Sequence, residues 1–191
     1  MKRVVLIGDS IRMGYQQVVQ RELEGLAEIW SPEQNGGTSQ NVLDHLEEWA
    51  LAHQPDVVHL NCGLHDLRKE FGSDQSAVPL DRYQANLEAI LRRLRKETRA
   101  KLIWAMTTPV NEIWHHERKP FDRFEADVVA YNRVVAEICQ RMAVPMNDLY
   151  QVAMRAGRDQ ILLPDGVHFT PKGYIILGEA VAEAVRPWCR L

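Results

Sequence analysis

The sequence predicts an α/β fold in which helices cover both faces of a parallel sheet. Five short apolar runs alternate with longer amphipathic stretches from one end of the chain to the other. The first run, "VVLI" at positions 4–7, contains no polar residue, which is typical of a strand buried on both faces. Because strands that alternate with helices form parallel sheets, we expect a five-stranded parallel sheet.

The predicted strands are bounded by residues that turn or break a strand. Gly8 ends the first strand, Pro55 and Asp56 introduce the third, Gly63 ends it, and Pro109 helps to end the fourth. The five predicted strands cover 3–7, 26–31, 55–63, 101–109 and 144–150.

The stretches between the strands have the apolar spacing of helices. The first two helices are predicted to bury Met13, Val18, Val19, Leu23 and Leu26, and Val42, Leu43, Leu46, Trp49 and Ala50. The helices are predicted at 11–25, within 35–53 after a glycine-rich turn, and at 80–98, 124–142 and 171–187. The segment "VNEIWHHERKPFDRF", which is rich in histidine, charge and aromatic residues, is predicted to be a loop.

Length and charge narrow the possible classes of protein. At 191 residues the chain fits one domain, which we place at 1–191. The net charge of −3 leaves no basic excess to neutralise phosphates, so we expect no nucleic-acid partner. The basic run at 91–101 is predicted to be the solvated face and last turn of a helix.

The cysteines indicate a reducing compartment. Cys62, Cys139 and Cys189 cannot all form pairs, and their spacing matches no metal site. We therefore expect a cytoplasmic protein without a metal ion. The apolar run before Gly8 has only four residues, too few for an export signal, and no apolar stretch is long enough to span a bilayer.

Polar residues follow several of the predicted strands. In a parallel sheet, ligands bind outside the carboxyl ends of the strands, so the loops after the strands are expected to meet along one edge. These loops contain Gly8-Asp9-Ser10, Asn35-Gly36-Gly37, Gly63-Leu64-His65-Asp66 and Thr107-Thr108-Pro109. A further loop near the carboxyl terminus carries Asp165 and His168.

These loops contain the groups that activate a serine nucleophile. A serine hydroxyl needs a base to remove its proton, and the base needs a third group to orient it. Across the turn "DGVH", the carboxylate of Asp165 can bond to Nδ1–H of His168 and leave Nε2 free to act on Ser10. Candidate donors to the oxyanion are the Ser10 N–H, an N–H from the Gly36–Gly37 turn, and the His65 side chain.

Each of these residues also has a simpler interpretation. Ser10 is a candidate N-cap of the first helix, a position that would also expose its side chain. Cys62 is predicted to be a small buried side chain and not a rival nucleophile. His115 and His116 lie next to one another on a predicted loop near the substrate, and neighbouring histidines on a loop rarely bind one metal ion together.

The order of four sequence blocks resembles the SGNH (GDSL-type) hydrolase family. The blocks are "IGDSI" at 7–11, "NGGTSQNVLDHL" at 35–46, "GLHDLR" at 63–68 and "DGVHFTPKGY" at 165–174. Ile11 stands where the family usually has leucine, Gly36 takes the place of the oxyanion glycine, and Gly37 replaces the usual aspartate. The alternative α/β-hydrolase signature fails, because Arg12 stands where its second glycine is required.

The resemblance implies a fold, an activity and a set of site residues. It implies a flavodoxin-like, three-layer α/β/α sandwich that hydrolyses small-molecule esters through an acyl-enzyme, without metal or cofactor. Ser10 would be the nucleophile, His168 the base and Asp165 its partner, with Ser10, Gly36 and His65 around the oxyanion. Small acyl or acetyl esters are the expected substrates, while lysophospholipids and thioesters stay open.

The third block departs from the family pattern at one position. His65 stands where the family has an asparagine whose amide donates to the oxyanion. A neutral imidazole has one N–H to donate, so we expect His65 to replace that asparagine. The alternatives are a weakened oxyanion hole, with a slow enzyme, and a ligand-binding protein that has lost catalysis.

Overall fold

The central feature of the fold is a sheet of five parallel strands in the order β2-β1-β3-β4-β5. The computed structural model describes residues 1–190. The strands are β1 (Lys2–Ile7), β2 (Ala27–Trp30), β3 (Val57–Leu60), β4 (Lys101–Ala105) and β5 (Met146–Asn147). The predicted α/β fold with a five-stranded parallel sheet is therefore confirmed.

Helices and short helical turns connect the strands. The α-helices are α1 (Ser10–Glu22), α2 (Ser39–Asp44), α3 (Leu46–Trp49), α4 (Leu80–Glu97), α5 (Glu112–Arg118), α6 (Glu125–Arg141), α7 (Leu149–Arg155), α8 (Arg158–Ile161) and α9 (Pro171–Val185). Two 3₁₀ turns cover Leu51–His53 and Arg186–Trp188. Within residues 1–190, none of the helices combines the length and apolar character that crossing a membrane would require.

The helices pack in two layers. Helix α9 packs against α1 and α7, while α4 packs against α2 and α6. Because crossovers between parallel strands are right-handed, the chain covers one face as it moves from β1 to β2 and the other as it moves towards β5. The centre of the sheet is buried between the two helical layers, and Val4–Ile7 of β1 and Val57–Leu60 of β3 are fully inaccessible to solvent.

Several predicted elements are shorter or divided in the structure. The predicted helix within 35–53 is divided into α2, α3 and a 3₁₀ turn, and the strand predicted at 144–150 pairs only over Met146–Asn147. The fifth strand is short for a local reason: the Asp148 carboxylate accepts the Gln151 N–H at 3.0 Å and so begins α7 directly after the strand. Helices α7 and α8 were not predicted.

The prediction of a loop between Val110 and Phe124 was wrong over half of that segment. Helix α5 forms at Glu112–Arg118, capped by the Asn111 side chain, which accepts the Trp114 N–H at 3.1 Å. Its apolar spacing is poor, because polar and basic residues make up most of the helix. The cap and the packing of this segment against the rest of the protein therefore outweigh its weak pattern.

The buried face of α1 also differs from the prediction. Met13 is 40% exposed, whereas Ile11, Tyr15 and Arg12 are buried. The buried guanidinium of Arg12 donates to the Gln34 carbonyl oxygen at 2.8 Å and to the side chain of Gln16 at 2.6 Å. A hydrophobic pattern does not predict this buried charge, because its partners come from a different loop and from its own helix.

Replacement of Gly178 with alanine tests the close approach of α1 and α9. An added Cβ would lie 2.5 Å from the Val18 Cβ and 3.2 Å from the Tyr15 carbonyl oxygen. Such overpacking costs about 1–3 kcal/mol, more than the roughly 1 kcal/mol that alanine gains over glycine in a helix. We expect Gly178→Ala to lower the free energy of unfolding in urea.

The matched control for Gly178→Ala is Glu179→Ala at the neighbouring exposed position. It is expected to change the free energy of unfolding by less than about 0.5 kcal/mol. A Gly178→Ala variant that is more stable than the native protein would contradict the close packing described above.

Candidate active site

The polar loops meet where the order of the strands reverses. From β1 the chain goes to β2 on one side, whereas β3 lies on the other side of β1, and this arrangement opens a crevice at the carboxyl ends of β1 and β3. Ser10 follows β1, and His65 follows β3. The crevice therefore lies where the sequence placed the candidate site.

A continuous chain of hydrogen bonds joins the three residues predicted to carry the chemistry. Ser10 Oγ lies 2.8 Å from Nε2 of His168, and Nδ1 of His168 lies 2.6 Å from Oδ2 of Asp165. Since Nδ1–H donates to the carboxylate, Nε2 is left with a lone pair directed at the serine hydroxyl. This is the geometry that a serine nucleophile and its base require.

Ser10 is the first residue of α1, and the prediction that it caps the helix was wrong. The N-cap is Asp9, whose Oδ1 accepts the Ile11 N–H at 2.9 Å. Because Asp9 takes the capping role, the Ser10 hydroxyl is free to bond to His168. The Ser10 N–H, at the start of the helix, donates to no acceptor within residues 1–190.

The turn around Asp165 holds the carboxylate in place. Oδ1 of Asp165 accepts the N–H groups of Val167 at 3.1 Å and His168 at 3.0 Å. Gly166 has a φ of 71°, and a Cβ there would lie 2.4 Å from the Asn111 carbonyl oxygen. Burial raises the pKa of Asp165, but its hydrogen bonds outweigh burial and hold the pKa well below its usual range. The carboxylate therefore stays ionised beside the histidine.

Lys119 is a further partner of this carboxylate that the sequence analysis did not identify. Its Nζ lies 3.2 Å from Oδ2 of Asp165, the oxygen that also bonds to His168. Lys119 follows α5, which the sequence analysis took for a loop. No local pattern distinguishes this lysine from the other basic residues of the segment, so only the fold reveals its contact.

A cavity of about 240 Å³ lies next to Ser10 and His168. Its wall combines polar and charged side chains with a few apolar ones. The lining residues are Asp9, Ser10, Asn35, Leu64, His65, Lys119, Phe121, Arg123, Val167 and His168. The loop after β3 and the segment after α5 thus contribute to the same cavity as Ser10 and His168.

His65 lies at this cavity with no hydrogen bond from either ring nitrogen to residues 1–190. Burial lowers the pKa of His65, and the neighbouring Arg123 lowers it further, although Asp9 acts in the opposite direction. The ring is therefore neutral at pH 7 and has one N–H to donate.

The Gly36 N–H points elsewhere in the structure. It donates to the Gly8 carbonyl oxygen at 3.0 Å, and the Gly37 N–H donates to the Asn35 side chain at 2.9 Å. Asn35 lines the cavity, whereas the two glycines do not. This differs from the expected arrangement, in which the Gly36 N–H points at the oxyanion. A role for Gly36 there stays a prediction, and it requires that the Gly36 N–H bond to the oxyanion as well as, or instead of, the Gly8 carbonyl.

Asp66 ties two of the site loops together. Its carboxylate accepts the Ser39 N–H at 2.8 Å and the Ser39 hydroxyl at 2.5 Å, and Asn86 donates to that hydroxyl at 3.0 Å. Burial raises the pKa of Asp66 to about 7, although the bonds from Ser39 act in the opposite direction. Asp66 therefore braces the loop after β3 against the first residue of α2.

The polar residues of β3 and its end have structural contacts. Asn61 donates to the Ala105 carbonyl oxygen at 2.8 Å and so links β3 to β4. His59 is fully buried, with Nε2 at 3.1 Å from the Asn147 amide and no partner for Nδ1 in residues 1–190. Cys62 is buried as predicted, and burial raises the pKa of its thiol well above the usual value. The thiol is therefore protonated and unsuited to attack.

The two neighbouring histidines point in different directions. His115 lies on the buried face of α5, and its Nε2 is 3.2 Å from Nη1 of Arg123. His116 bonds through Nδ1 to the Asp122 carboxylate at 2.7 Å. Across residues 1–190 the structure places no three histidine, cysteine or acidic side chains together as a metal site.

Of the aromatic residues in the same segment, only one reaches the cavity. Phe121 lines it, Trp114 packs against the hydrophobic core, and Phe124 is 38% exposed. Arg123, which the sequence analysis did not single out, lines the cavity and is 6% exposed. The sequence shows that Arg123 and Phe121 are two residues apart, but this spacing does not indicate whether their side chains face the cavity.

A larger cavity, of about 510 Å³, lies at the amino ends of the strands. It is lined by Lys2, Leu26, Asp56 and Cys189, among others. Burial raises the pKa of the Cys189 thiol, so this cavity has no activated nucleophile. The smaller cavity beside Ser10 is the one equipped for chemistry.

Comparison with known proteins points to one family. The family model described as the GDSL-like lipase/acylhydrolase family matches residues 6–176. A lipase/acylhydrolase from Enterococcus faecalis has a similar structure, with a TM-score of 0.82, 23% identity, and coverage of 98% of this chain and 96% of that one. No curated protein matches the chain in sequence.

Acetylxylan esterases are also similar in structure. One from Geobacillus stearothermophilus has a TM-score of 0.78 and 20% identity, with 98% of this chain and 94% of that one covered. The acetyl xylan esterase AlAXEase has a TM-score of 0.77 and 20% identity, with 96% and 99% covered. At these identities the likeness shows a shared fold.

The raised pKa of Asp66 predicts a pH dependence of stability. A carboxyl whose pKa is higher in the folded than in the unfolded state stabilises the fold below the unfolded value, near 4, and this contribution is lost as the pH rises to about 7. Between pH 5 and 8 we expect Asp66 to lower the free energy of unfolding by about 2 kcal/mol.

The measurement is urea unfolding of the native protein and of Asp66→Asn across this pH range. Buried histidines titrate in both proteins, so the difference between the two pH profiles isolates Asp66. The profile of Asp66→Asn should fall less from pH 5 to 8, whatever its absolute stability. Parallel profiles would mean that Asp66 does not titrate in this range.

Proposed function

Because the chain belongs to the GDSL-like lipase/acylhydrolase family of serine ester hydrolases, we propose that Ser10, His168 and Asp165 are its catalytic residues. The observation that carries this proposal is the chain of hydrogen bonds, 2.8 Å from Ser10 to His168 and 2.6 Å from His168 to Asp165. The reaction is the hydrolysis of a small carboxylic ester through an acyl-enzyme.

The first half of the reaction forms the acyl-enzyme. Nε2 of His168 takes the hydroxyl proton as Ser10 Oγ attacks the ester carbonyl carbon. The ionised Asp165 stabilises the imidazolium that results. His168 then gives the proton to the departing alcohol as the bond between carbonyl carbon and alcohol oxygen breaks.

The second half regenerates the enzyme. Water enters in place of the alcohol, and His168 removes its proton as it attacks the acyl carbon. The bond to Ser10 Oγ breaks, Ser10 regains its proton from His168, and the carboxylic acid leaves. Neither half requires a metal or an organic cofactor.

Two donors are available for the negative charge on the carbonyl oxygen. The Ser10 N–H has no acceptor within residues 1–190, and a neutral His65, which lines the same cavity, offers one N–H. The Gly36 N–H would be a third donor if its bond to Gly8 were shared with the oxyanion. Donors aimed at the developing charge supply a large part of catalysis in acyl transfer.

The cavity favours a short acyl group. Its volume of about 240 Å³ is below the roughly 300–1,000 Å³ typical of drug-sized ligand pockets. Charged groups of Arg123 and Lys119 lie in its wall and would be desolvated by a long alkyl chain. The acetylxylan esterases of similar fold act on acetyl esters, which is consistent with this preference.

Covalent labelling and esterase assays test the nucleophile. We expect a fluorophosphonate probe to label the native protein, and Ser10→Ala to lose both the label and at least about a thousandfold in kcat/KM. The substrates are para-nitrophenyl esters of rising acyl length, with acetate or propionate expected to be best. A matched control is Ser31→Ala, at a serine that does not line the cavity.

Labelling of Ser10→Ala to the native extent would overturn the assignment of Ser10. A kcat/KM that rises steadily with acyl length up to long chains would overturn the small-acyl specificity. It would not contradict the assignment of Ser10 as the nucleophile.

Replacement of His65 tests the proposed oxyanion donor. We expect His65→Asn, which restores an amide donor, to keep kcat within about threefold of the native protein, and His65→Ala to lower it about a hundred- to a thousandfold. Because the pKa of His65 is lowered, its ring is already neutral at pH 7. His65→Asn should therefore leave the pH profile of kcat unchanged above about pH 6.5.

A His65→Ala variant as active as the native protein would show that the imidazole does not stabilise the oxyanion. If His65→Asn changed the pH profile of kcat above about pH 6.5, the result would show that the His65 imidazole acts in its protonated form.

A further inference from the structure

The guanidinium of Arg123 lies at the catalytic cavity with part of its hydrogen-bonding capacity unused. Nε donates to the Leu64 carbonyl oxygen at 2.6 Å, and Nη1 lies 3.2 Å from Nε2 of His115. Nη2 has no partner within residues 1–190 and is not sealed from solvent. Because the residue is 6% exposed and lines the cavity, Nη2 is left to face the cavity.

Among residues 1–190, no carboxylate lies close enough to pair with Arg123 directly. Within the described part of the chain Arg123 forms no ion pair, whereas Lys119 pairs with Asp165 and Arg68 pairs with Glu70. Burial lowers the pKa of Arg123 to about 10, so the group keeps its charge at neutral pH. A buried charge without a paired partner is costly, and an incoming anion would offset that cost.

The surroundings of Arg123 hold the guanidinium in one orientation. Its two protein partners fix Nε and Nη1, and the Phe121 ring lies 5.0 Å from Cζ. His115 can accept from Arg123 only while its Nε2 is unprotonated, and burial lowers the pKa of His115 to about 4. The fork is therefore presented to the cavity without a large loss of side-chain entropy on binding.

We propose that Arg123 binds a carboxylate of the substrate, so that this esterase prefers small esters that carry a carboxylate in addition to the ester. The proposal rests on the function proposed above and names the class of substrate for the same site. Arginine binds planar oxyanions through parallel N–H groups. In the described cavity lining Arg123 is the cation without an ion pair, and the single charge of a carboxylate matches it, whereas the two charges of a phosphate dianion would be repelled more strongly by the nearby Asp9 and Asp165.

The carboxylate can belong to the acyl part or to the alcohol part of the ester. Two pairs of substrates of similar size distinguish these sources. Monomethyl succinate against methyl butyrate tests a carboxylate on the acyl part, and meta-acetoxybenzoate against meta-acetoxybenzamide tests one on the alcohol part. Acid release is followed by titration, and the readout is the ratio of kcat/KM for the charged ester over the neutral one.

We expect at least one pair to give a ratio of about 10–100 with the native protein, the range expected for a hydrogen bond to a charged group. Arg123→Gln should bring that ratio close to one, and Arg123→Lys should recover part of it. The matched control is Arg68→Gln, since Arg68 lies 4.0 Å from the same Phe121 ring but pairs with Glu70 at the surface. It should keep the native ratio.

A ratio at or below one for both pairs with the native protein would overturn the proposal, and so would a ratio that Arg123→Gln leaves unchanged. The ratio is insensitive to a general loss of activity in the variant. If Arg123→Gln does not fold, Arg123→Lys and the native ratios decide the question.

Failure of the proposed function has a different signature. If none of the four esters is hydrolysed, the esterase assignment fails, and binding of benzoate to Ser10→Ala by calorimetry tests the subsite alone. Binding that is lost in the Ser10→Ala/Arg123→Gln double variant supports the carboxylate site, and absence of binding to Ser10→Ala overturns it. Benzamide serves as the neutral reference in this measurement.

Discussion

The candidate site depends on one long-range constraint, the hydrogen bond between Ser10 and His168, which are 158 residues apart in the chain. Ser10 begins α1, and His168 lies just before α9, so the bond exists only because these two helices pack side by side. Gly178 makes that packing close, since a Cβ there would overlap Val18. The first and last helices of the fold therefore bring together the proposed nucleophile and its proposed base, which neither segment could align by itself.

Buried charge is the second feature that organises the site. Asp9 caps the helix that it precedes, whereas Asp66 binds Ser39 and Arg12 donates to the loop after β2, so each of these last two buried groups joins two segments of the chain. Burial of these groups costs desolvation free energy, and hydrogen bonds of defined direction offset that cost. These polar contacts hold the site loops in place in addition to the apolar contacts of Leu64 and Val167 with the core. Arg123 differs from these buried charged groups in that Nη2 has no protein partner, and this difference is what suggests a ligand.

The segment after β4 shows how the fold can build a site from residues with little local signal. Helix α5 lacks an apolar stripe, yet it positions Lys119 against Asp165 and precedes the residues Phe121 and Arg123 of the cavity wall. The helix is stabilised by its Asn111 cap and by the burial of His115. Glycine at position 166 lets this segment approach the loop of Asp165, because a side chain there would meet the Asn111 carbonyl.

The sequence by itself determined the α/β class and the five parallel strands, because these depend on local patterns of apolar runs and turn residues. It predicted the set of Ser10, Asp165 and His168 from the order of the sequence blocks that contain them. It also identified His65 as the unusual residue of the third block. The tertiary structure decided that Asp9 and not Ser10 caps α1, that the Gly36 N–H bonds to Gly8, and that Lys119 and Arg123 reach the site. Those contacts join residues from separate loops, and their formation depends on how the strands and helices pack, which no local pattern encodes.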